Sequence, residues 1–203
     1  MRNEMPNEQI AGEQRDEQIG TEYVVLVDDR GMPIGQAEKL MAHQQGLAHL
    51  AFSIVIVDDV SQPRYVLLQK RHDGKYHSGG LWSNTCCSHP RVHETLSDAV
   101  HRRLLEEMGF SVPLNCVGQI HYCLDVGHAC TENEWTHVYI GQKNTNDLIA
   151  ANDTEVSDWK WVAIHDLMAD VAQYPKRYTA WFPCILDVCL PSFQLDSLAV
   201  KNN

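Results

Sequence analysis

The chain has 203 residues and a formal net charge of −11 at neutral pH, enough length for one well-buried core and an acidic balance that disfavours nucleic acid and anionic membranes as partners. No run approaches the ~20 apolar residues of a membrane span, and none resembles a signal-peptide core, so a cytoplasmic protein is expected. Seven cysteines, an odd and scattered set, argue for reduced thiols and against a disulfide framework.

In chain order, residues 1–20 form a polar stretch without apolar periodicity and are expected to be a disordered tail, followed by a single domain over 21–203. EYVVLVD (22–28) reads as a strand, and the turn chemistry of DDRGMPIG makes it the first arm of an N-terminal hairpin. QAEKLMAHQQG (36–46) is rich in helix formers and stops at Gly46. HLAFSIVIVDD (49–59) and RYVLLQKR (64–71) are strands expected to pair antiparallel across the turn with Asp58, Asp59 and Pro63. From Glu94 to Met108, Leu96, Ala99, Val100, Leu104 and Met108 fall at helical spacing and Gly109 provides the stop. Strands are expected over 116–126, 134–142 and 157–163, and helices over 164–173 and 178–190. The fold class is α/β in the α+β sense, a mixed β-sheet sandwiched between helices with an N-terminal hairpin extension.

Chemistry-bearing residues concentrate in three segments. In SNTCCSHP (83–90), an extended backbone puts Cys87 and His89 on one side and Cys86 on the other. In TENEW (131–135), Glu132 and Glu134 project together by the same parity, while His43 and His49 bracket Gly46. Three histidines and two carboxylates make a mixed nitrogen and oxygen ligand set with too many members for a tetrahedral structural zinc. Read singly, a histidine among eleven is most often a surface or hydrogen-bonded residue, and a Glu-x-Glu is a solvated edge. Cys86 reads as a small core hydrophobe.

The helix carries a further pattern. Ser88, Glu94 after five residues, then Arg102-Arg103-Leu104-Leu105-Glu106-Glu107-Met108-Gly109-Phe110 after seven more resembles the Nudix box, Gly-x5-Glu-x7-Arg-Glu-U-x-Glu-Glu-x-Gly-U. It departs from the box at Ser88 in place of Gly and at Arg103 in place of Glu. A guanidinium in place of a cation-binding carboxylate removes a ligand and adds positive charge, which keeps phosphate binding and disfavours hydrolysis. Arg103 and Glu107 share one helix face, where their plain role is a surface ion pair.

Glu38-Lys39 with His43 and His49, Arg71 with Lys75, Asn84 through Pro90, Arg102-Arg103, Glu107, Tyr122, Glu132-Asn133-Glu134 and Trp181 together resemble the type 1 isopentenyl-diphosphate isomerases, in order, over about residues 22–190. That family departs from hydrolytic Nudix proteins at the same box position. The resemblance implies a Nudix-like fold and interconversion of isopentenyl and dimethylallyl diphosphate in isoprene biosynthesis. It implies that Cys87 and Glu134 exchange protons on opposite faces of the substrate, Glu134 delivering with Tyr122 beside it and Cys87 accepting as thiolate, with the assignment in each direction left open. Trp181 would face the cationic carbon. Lys39, Arg71, Lys75 and Arg103 would hold the diphosphate, and Glu107 its Mg²⁺. His43, His49, His89, Glu132 and Glu134 would bind Mn²⁺, Zn²⁺ or Mg²⁺. The implied partner is a small diphosphate, with neither nucleic acid nor membrane, and a monomer or weak dimer is expected. Two other readings stand beside it: a Nudix pyrophosphohydrolase of nucleoside diphosphate derivatives, supported by Glu94, Glu106 and Glu107, and a non-catalytic domain in which Cys86, Cys87, His89 and another ligand build a structural zinc.

Overall fold

The computed structural model describes residues 22–193, so the expected tail at 1–20 lies outside the described residues. β1 (Tyr23–Val27) and β2 (Pro33–Glu38) form the N-terminal hairpin. The strand β2 runs to Glu38 and α1 (Lys39–Gln45) starts there, later than the expected 36. The reason is the cap: Glu38 stays extended and its carboxylate accepts from the amides of Leu40 and Met41, which fixes the helix start at Lys39. Gly46, in the left-handed region, closes the helix.

β3 (His49–Val57) is the axis of the sheet. One edge pairs in parallel with β8 (Cys130–Gln142) along its full length, from His49 opposite Glu134 to Val57 opposite Gln142. The other edge meets three partners in succession: β1 at His49, β6 (Cys86–Ser88) at Phe52 to Ile54, and β4 (Tyr65–Arg71) at Ile56 and Val57. The expected β3–β4 hairpin is thus antiparallel but only two residue pairs long. The two strands splay, β4 giving its length to β9 (Val156–Ala163) and its end to the short β5 (Trp82–Ser83). β7 (Leu114–Gly127) pairs antiparallel with β8, which begins at Cys130 rather than 134.

Strand parity sorts the core into two layers. Phe52, Ile54, Ile56, Leu67 and Cys86 pack on Ala99, Val100, Leu104 and Met108 of α2 (Leu96–Met108). Val55, Val57, Val66, Leu68, Val138 and Ile140 pack on the other face against α3 (Ile164–Gln173) and α4 (Phe182–Cys189). The helix expected at 178–190 begins at Phe182, because a 3₁₀ turn (Pro175–Arg177) and the extended Tyr178 precede it. α2 likewise begins at Leu96, with Thr95 as the capping residue bonding the Asp98 amide. No helix of the described residues is long and apolar enough to cross a membrane.

Three box residues do structural work. Glu94 receives paired bonds from Arg102, Nε to Oε1 at 2.6 Å and Nη2 to Oε2 at 2.7 Å, clamping the segment before α2 to the helix. Gly109 (φ 75°) ends α2 against the 150s loop, and a Cβ there would meet Ala150 O at 2.2 Å.

We therefore expect Gly109→Ala to destabilise the protein by at least about 2 kcal/mol, read as a lower urea midpoint at unchanged slope, since it adds left-handed strain to a backbone clash. The Arg102 bonds hold the Glu94 carboxyl below its ordinary value. Its stabilisation is therefore present above the unfolded-state value near 4.5 and is lost as pH falls through the folded one. The melting-temperature gap between wild type and Glu94→Gln should be open at pH 7 and close below about pH 4; a gap that widens in acid would contradict the assignment.

Candidate active site and metal centre

The site lies on the α4 face of the sheet, where the parity of four strands converges. β6 turns Cys87 toward that face and Cys86 into the α2 layer, and His89 follows Cys87. β8 presents Glu132, Glu134 and Thr136, all buried, β7 presents Tyr122 opposite Glu134, and β3 contributes His49 and Ser53. α1 supplies His43 and the start of α4 supplies Trp181, both buried. Lys39, His43, Arg71, Lys75, Cys87, His89, Arg103, Glu107, Glu132, Glu134 and Trp181 line one polar cavity of about 50 Å³. It adjoins a groove of about 390 Å³ with which it shares Lys39, Ser88, His89 and Arg103.

One ligand atom from each of His43, His49, His89, Glu132 and Glu134 lies within 4.8 Å of all the others. The lone pairs are aimed inward by outer bonds. His43 Nδ1 and His49 Nδ1 each sit 2.7 Å from a backbone oxygen, of Lys39 and Leu47, which leaves both Nε2 atoms free to coordinate. His43 Nε2 and Glu132 Oε2 are buried and have no hydrogen-bond partner. His49 Nε2 and His89 Nε2 face each other at 3.2 Å, and His89 Nε2 is 2.9 Å from Glu134 Oε1. Orphaned buried atoms converging on one point, with nitrogen and oxygen donors, fit a divalent cation.

The electrostatics agree. Burial opposes charge at Glu134, but the His49 and His89 imidazoles outweigh it and hold that carboxyl well below the usual carboxylate range. At Glu132, burial and the neighbouring Glu134 charge raise it to about 7. Burial pushes His89 down to about 3, while at His49 the Glu134 bond overcomes burial and raises it. Metal binding would relieve this competition for protons.

Cys87 Sγ has three polar neighbours: Asn84 Oδ1, to which the thiol donates at 3.1 Å, Ser53 Oγ at 3.2 Å, and Trp181 Nε1, which donates to it at 3.3 Å. Burial raises the thiol to about 11 against the lowering effect of the Ser53 and Trp181 bonds. Around Glu134, Tyr122 Oη donates to Oε2 at 2.5 Å and Thr136 Oγ1 lies 3.1 Å from both oxygens of that bond. Burial and the Glu134 charge hold the Tyr122 hydroxyl well above its ordinary value, so it stays a donor.

The four cations do not stand alone. Lys39 pairs with Glu22 at 2.7 Å and Lys75 with Glu155, while Arg71 lies over the Trp181 ring with its guanidinium carbon 5.3 Å from the centroid. Arg103 pairs with Glu106, Glu107 and Glu155, and Glu107 Oε2 accepts from Gln69 Nε2 at 3.1 Å. The Nε atoms of Arg71 and Arg103 are buried without partners. The sequence reading missed Ser53, Gln69, Tyr76, His77, Thr136 and Glu155. Thr136 and Ser53 share strand parity with Glu134 and His49, a signal available in the pattern; Glu155 and His77 come from loops and gave none.

The structural-zinc reading fails on geometry, because Cys86 is fully buried in the α2 layer, away from the Cys87 side. The pyrophosphohydrolase reading is weakened by the α2 arginines, since Arg102 and Arg103 occupy Glu94, Glu106 and Glu107 in ion pairs.

Comparison with known proteins agrees with these features. The NUDIX domain family model matches residues 47–182. The isopentenyl-diphosphate Delta-isomerase of Burkholderia multivorans is 43% identical over 166 residues, 82% of this chain and 92% of that protein. Isopentenyl-diphosphate Delta-isomerase 2 of Photorhabdus laumondii is 46% identical over 166 residues, 82% of this chain and 91% of that protein. Among solved structures, a Deinococcus radiodurans protein superposes with a TM-score of 0.65 at 14% identity, covering 82% of this chain and 97% of that one. A MutT protein from Methanosarcina mazei gives 0.54 at 16%, covering 69% and 91%. These two show the fold alone. With its sheet, its altered box and its relatives in agreement, the chain belongs to the isopentenyl-diphosphate Delta-isomerase family and carries a NUDIX domain.

Proposed function

We propose that the protein interconverts isopentenyl and dimethylallyl diphosphate by proton exchange between Cys87 and Glu134 across the alkenyl chain. The observation that carries the reading is the placement of a thiol and a carboxylate in one cavity, each on its own hydrogen-bonded support. Protonating the terminal carbon of an unactivated alkene generates positive charge at the adjacent tertiary carbon, and the proton that leaves comes from that carbon's other neighbour, two bonds from the protonated one, whose C–H electrons form the new double bond. The two groups act as acid and base in turn and exchange roles when the reaction reverses. Tyr122 and Thr136 hold Glu134 Oε2 in place for that transfer. Trp181 offers its π-face to the developing cation while its N–H supports the sulfur, and an indole face attracts a desolvated cation by about 2 kcal/mol.

Arg71 and Arg103, each with a buried unpartnered Nε, together with Lys39 and Lys75, are the diphosphate grip in this reading. The diphosphate would exchange with Glu155 and Glu22 for the lysines. Glu107, buried beside Arg103, would hold a Mg²⁺ carried by the substrate. The centre formed by His43, His49, His89, Glu132 and Glu134 would hold Mn²⁺, Zn²⁺ or Mg²⁺; three imidazoles favour the first two. A dication there supplies electrostatic fixation of the Glu134 carboxylate. The substrate is a small diphosphate in cytoplasmic solution, handled by a monomer or weak dimer.

Incubating the protein with isopentenyl diphosphate and Mg²⁺ in D₂O should yield the dimethylallyl isomer with deuterium incorporated; release of inorganic phosphate or pyrophosphate instead would favour hydrolysis. Cys87→Ala should fold and bind metal normally yet lose turnover by at least about 10²-fold, with little change in KM, because one half of the proton exchange has no partner. Unchanged turnover would remove the thiol from the reaction. Exhaustive chelation should abolish isomerisation, and Mn²⁺ or Zn²⁺ should restore it at lower concentration than Mg²⁺; full activity in metal-free protein would refute the centre.

A further inference from the structure

The loop 72–81 between β4 and β5 supplies none of the five candidate ligands, yet one of its side chains reaches the centre. His77 is 3% exposed and places Nε2 3.1 Å from Glu132 Oε1. The other oxygen, Oε2, is the buried unpartnered atom, 3.2 Å from His43 Nε2. With Glu132 ionised, as a metal ligand must be, its oxygen only accepts, so a hydrogen on the facing nitrogen is what lets the two engage. In the neutral imidazole this makes Nδ1 the acceptor, and Ser78 Oγ stands 3.2 Å from it as a hydroxyl able to donate. Ser78 takes a left-handed backbone (φ 53°), sparsely populated for serine.

The ring has little room to turn. It stacks on His43 with centroids 5.6 Å apart and planes at 28°, and meets Trp181 edge-on at 5.9 Å and Tyr76 at 4.5 Å. Arg71 Nη2 donates to the His77 carbonyl at 3.3 Å and ties the loop down.

We propose that His77 is a positioning residue of the metal centre, engaging the outer oxygen of Glu132 so that the inner oxygen faces the ligand imidazoles. The inference rests on the five-residue centre described above. The competing view is that His77 is a packed aromatic ring filling space between His43 and Trp181, and the two views separate on whether the N–H or the ring matters. His77→Phe keeps the ring and loses the donor; His77→Gln loses the ring and keeps an N–H donor.

The test is Mn²⁺ affinity of the full-length chain without substrate, read by competition with a chelator, with melting temperature recorded for each variant. His77→Phe should bind Mn²⁺ about 10–100-fold more weakly than wild type, the range observed when an outer partner of a metal ligand is removed. His77→Gln should recover most of that loss. His77→Leu is a second donor-free variant should the Phe protein not fold, with the same expected loss. Wild-type affinity in the donor-free variants, or equal weakening in Gln and Phe, would overturn the positioning role alone. A wild-type protein that takes up no Mn²⁺ would overturn both this inference and the centre it rests on.

Discussion

The site depends on one strand register. In the parallel ladder between β3 and β8, His49 stands opposite Glu134, and His49 Nε2 lies 3.6 Å from Glu134 Oε1. Parallel strands cannot be joined by a tight turn, so the chain between them must leave the sheet and return. That excursion carries β4, β6, α2 and β7, and with them Arg71, Cys87, His89, Arg103, Glu107 and Tyr122, while His43 and Trp181 come from α1 and the start of α4. A slip of one residue in this ladder would turn Glu132, Glu134 and Thr136 away from the imidazoles and put Asn133 and Trp135 in their place.

Buried polar groups in such number need partners, and the supports for the two groups proposed to exchange protons differ. The sulfur of Cys87 is held between an acceptor, a hydroxyl and an indole donor, a set that accommodates either protonation state. Glu134 is surrounded by donors alone on its Oε2 side and by imidazole nitrogens on its Oε1 side, which favours the ionised form. One cavity is thus lined both by a thiol that burial keeps neutral and by a carboxyl that its partners keep ionised.

The altered box explains how a Nudix frame serves this chemistry. Arg103 stands where a hydrolase would place a carboxylate, and it lies inside a ring of Glu106, Glu107 and Glu155. Glu106 accepts from both Arg102 and Arg103, so positive charge is set directly against the helix carboxylates. Glu94 and Arg102 keep their box positions and act on each other, so part of the motif holds the fold together.

Much of this was legible in the sequence because it follows from period-two alternation and local stop signals. The parity of Cys86, Cys87 and His89, the Glu132–Glu134 pair, the helix ended by Gly109 and the edges of β3 and β4 are all local patterns, and the family resemblance drew the ligands together before any coordinates did. Local patterns did not reveal that β3 and β4 splay after two pairs, that β8 begins at Cys130, or that Tyr178 to Trp181 precede the last helix. Those are settled by which strand competes best for each edge and by where Trp181 can be buried. Nor could spacing disclose that Glu155 and His77 sit against the chemistry, since each is brought there by contacts with residues more than 50 positions away. The sequence by itself determined which atoms were available and which way each strand faced. Only the tertiary structure decided which of those atoms meet, because meeting depends on register and on packing between distant segments.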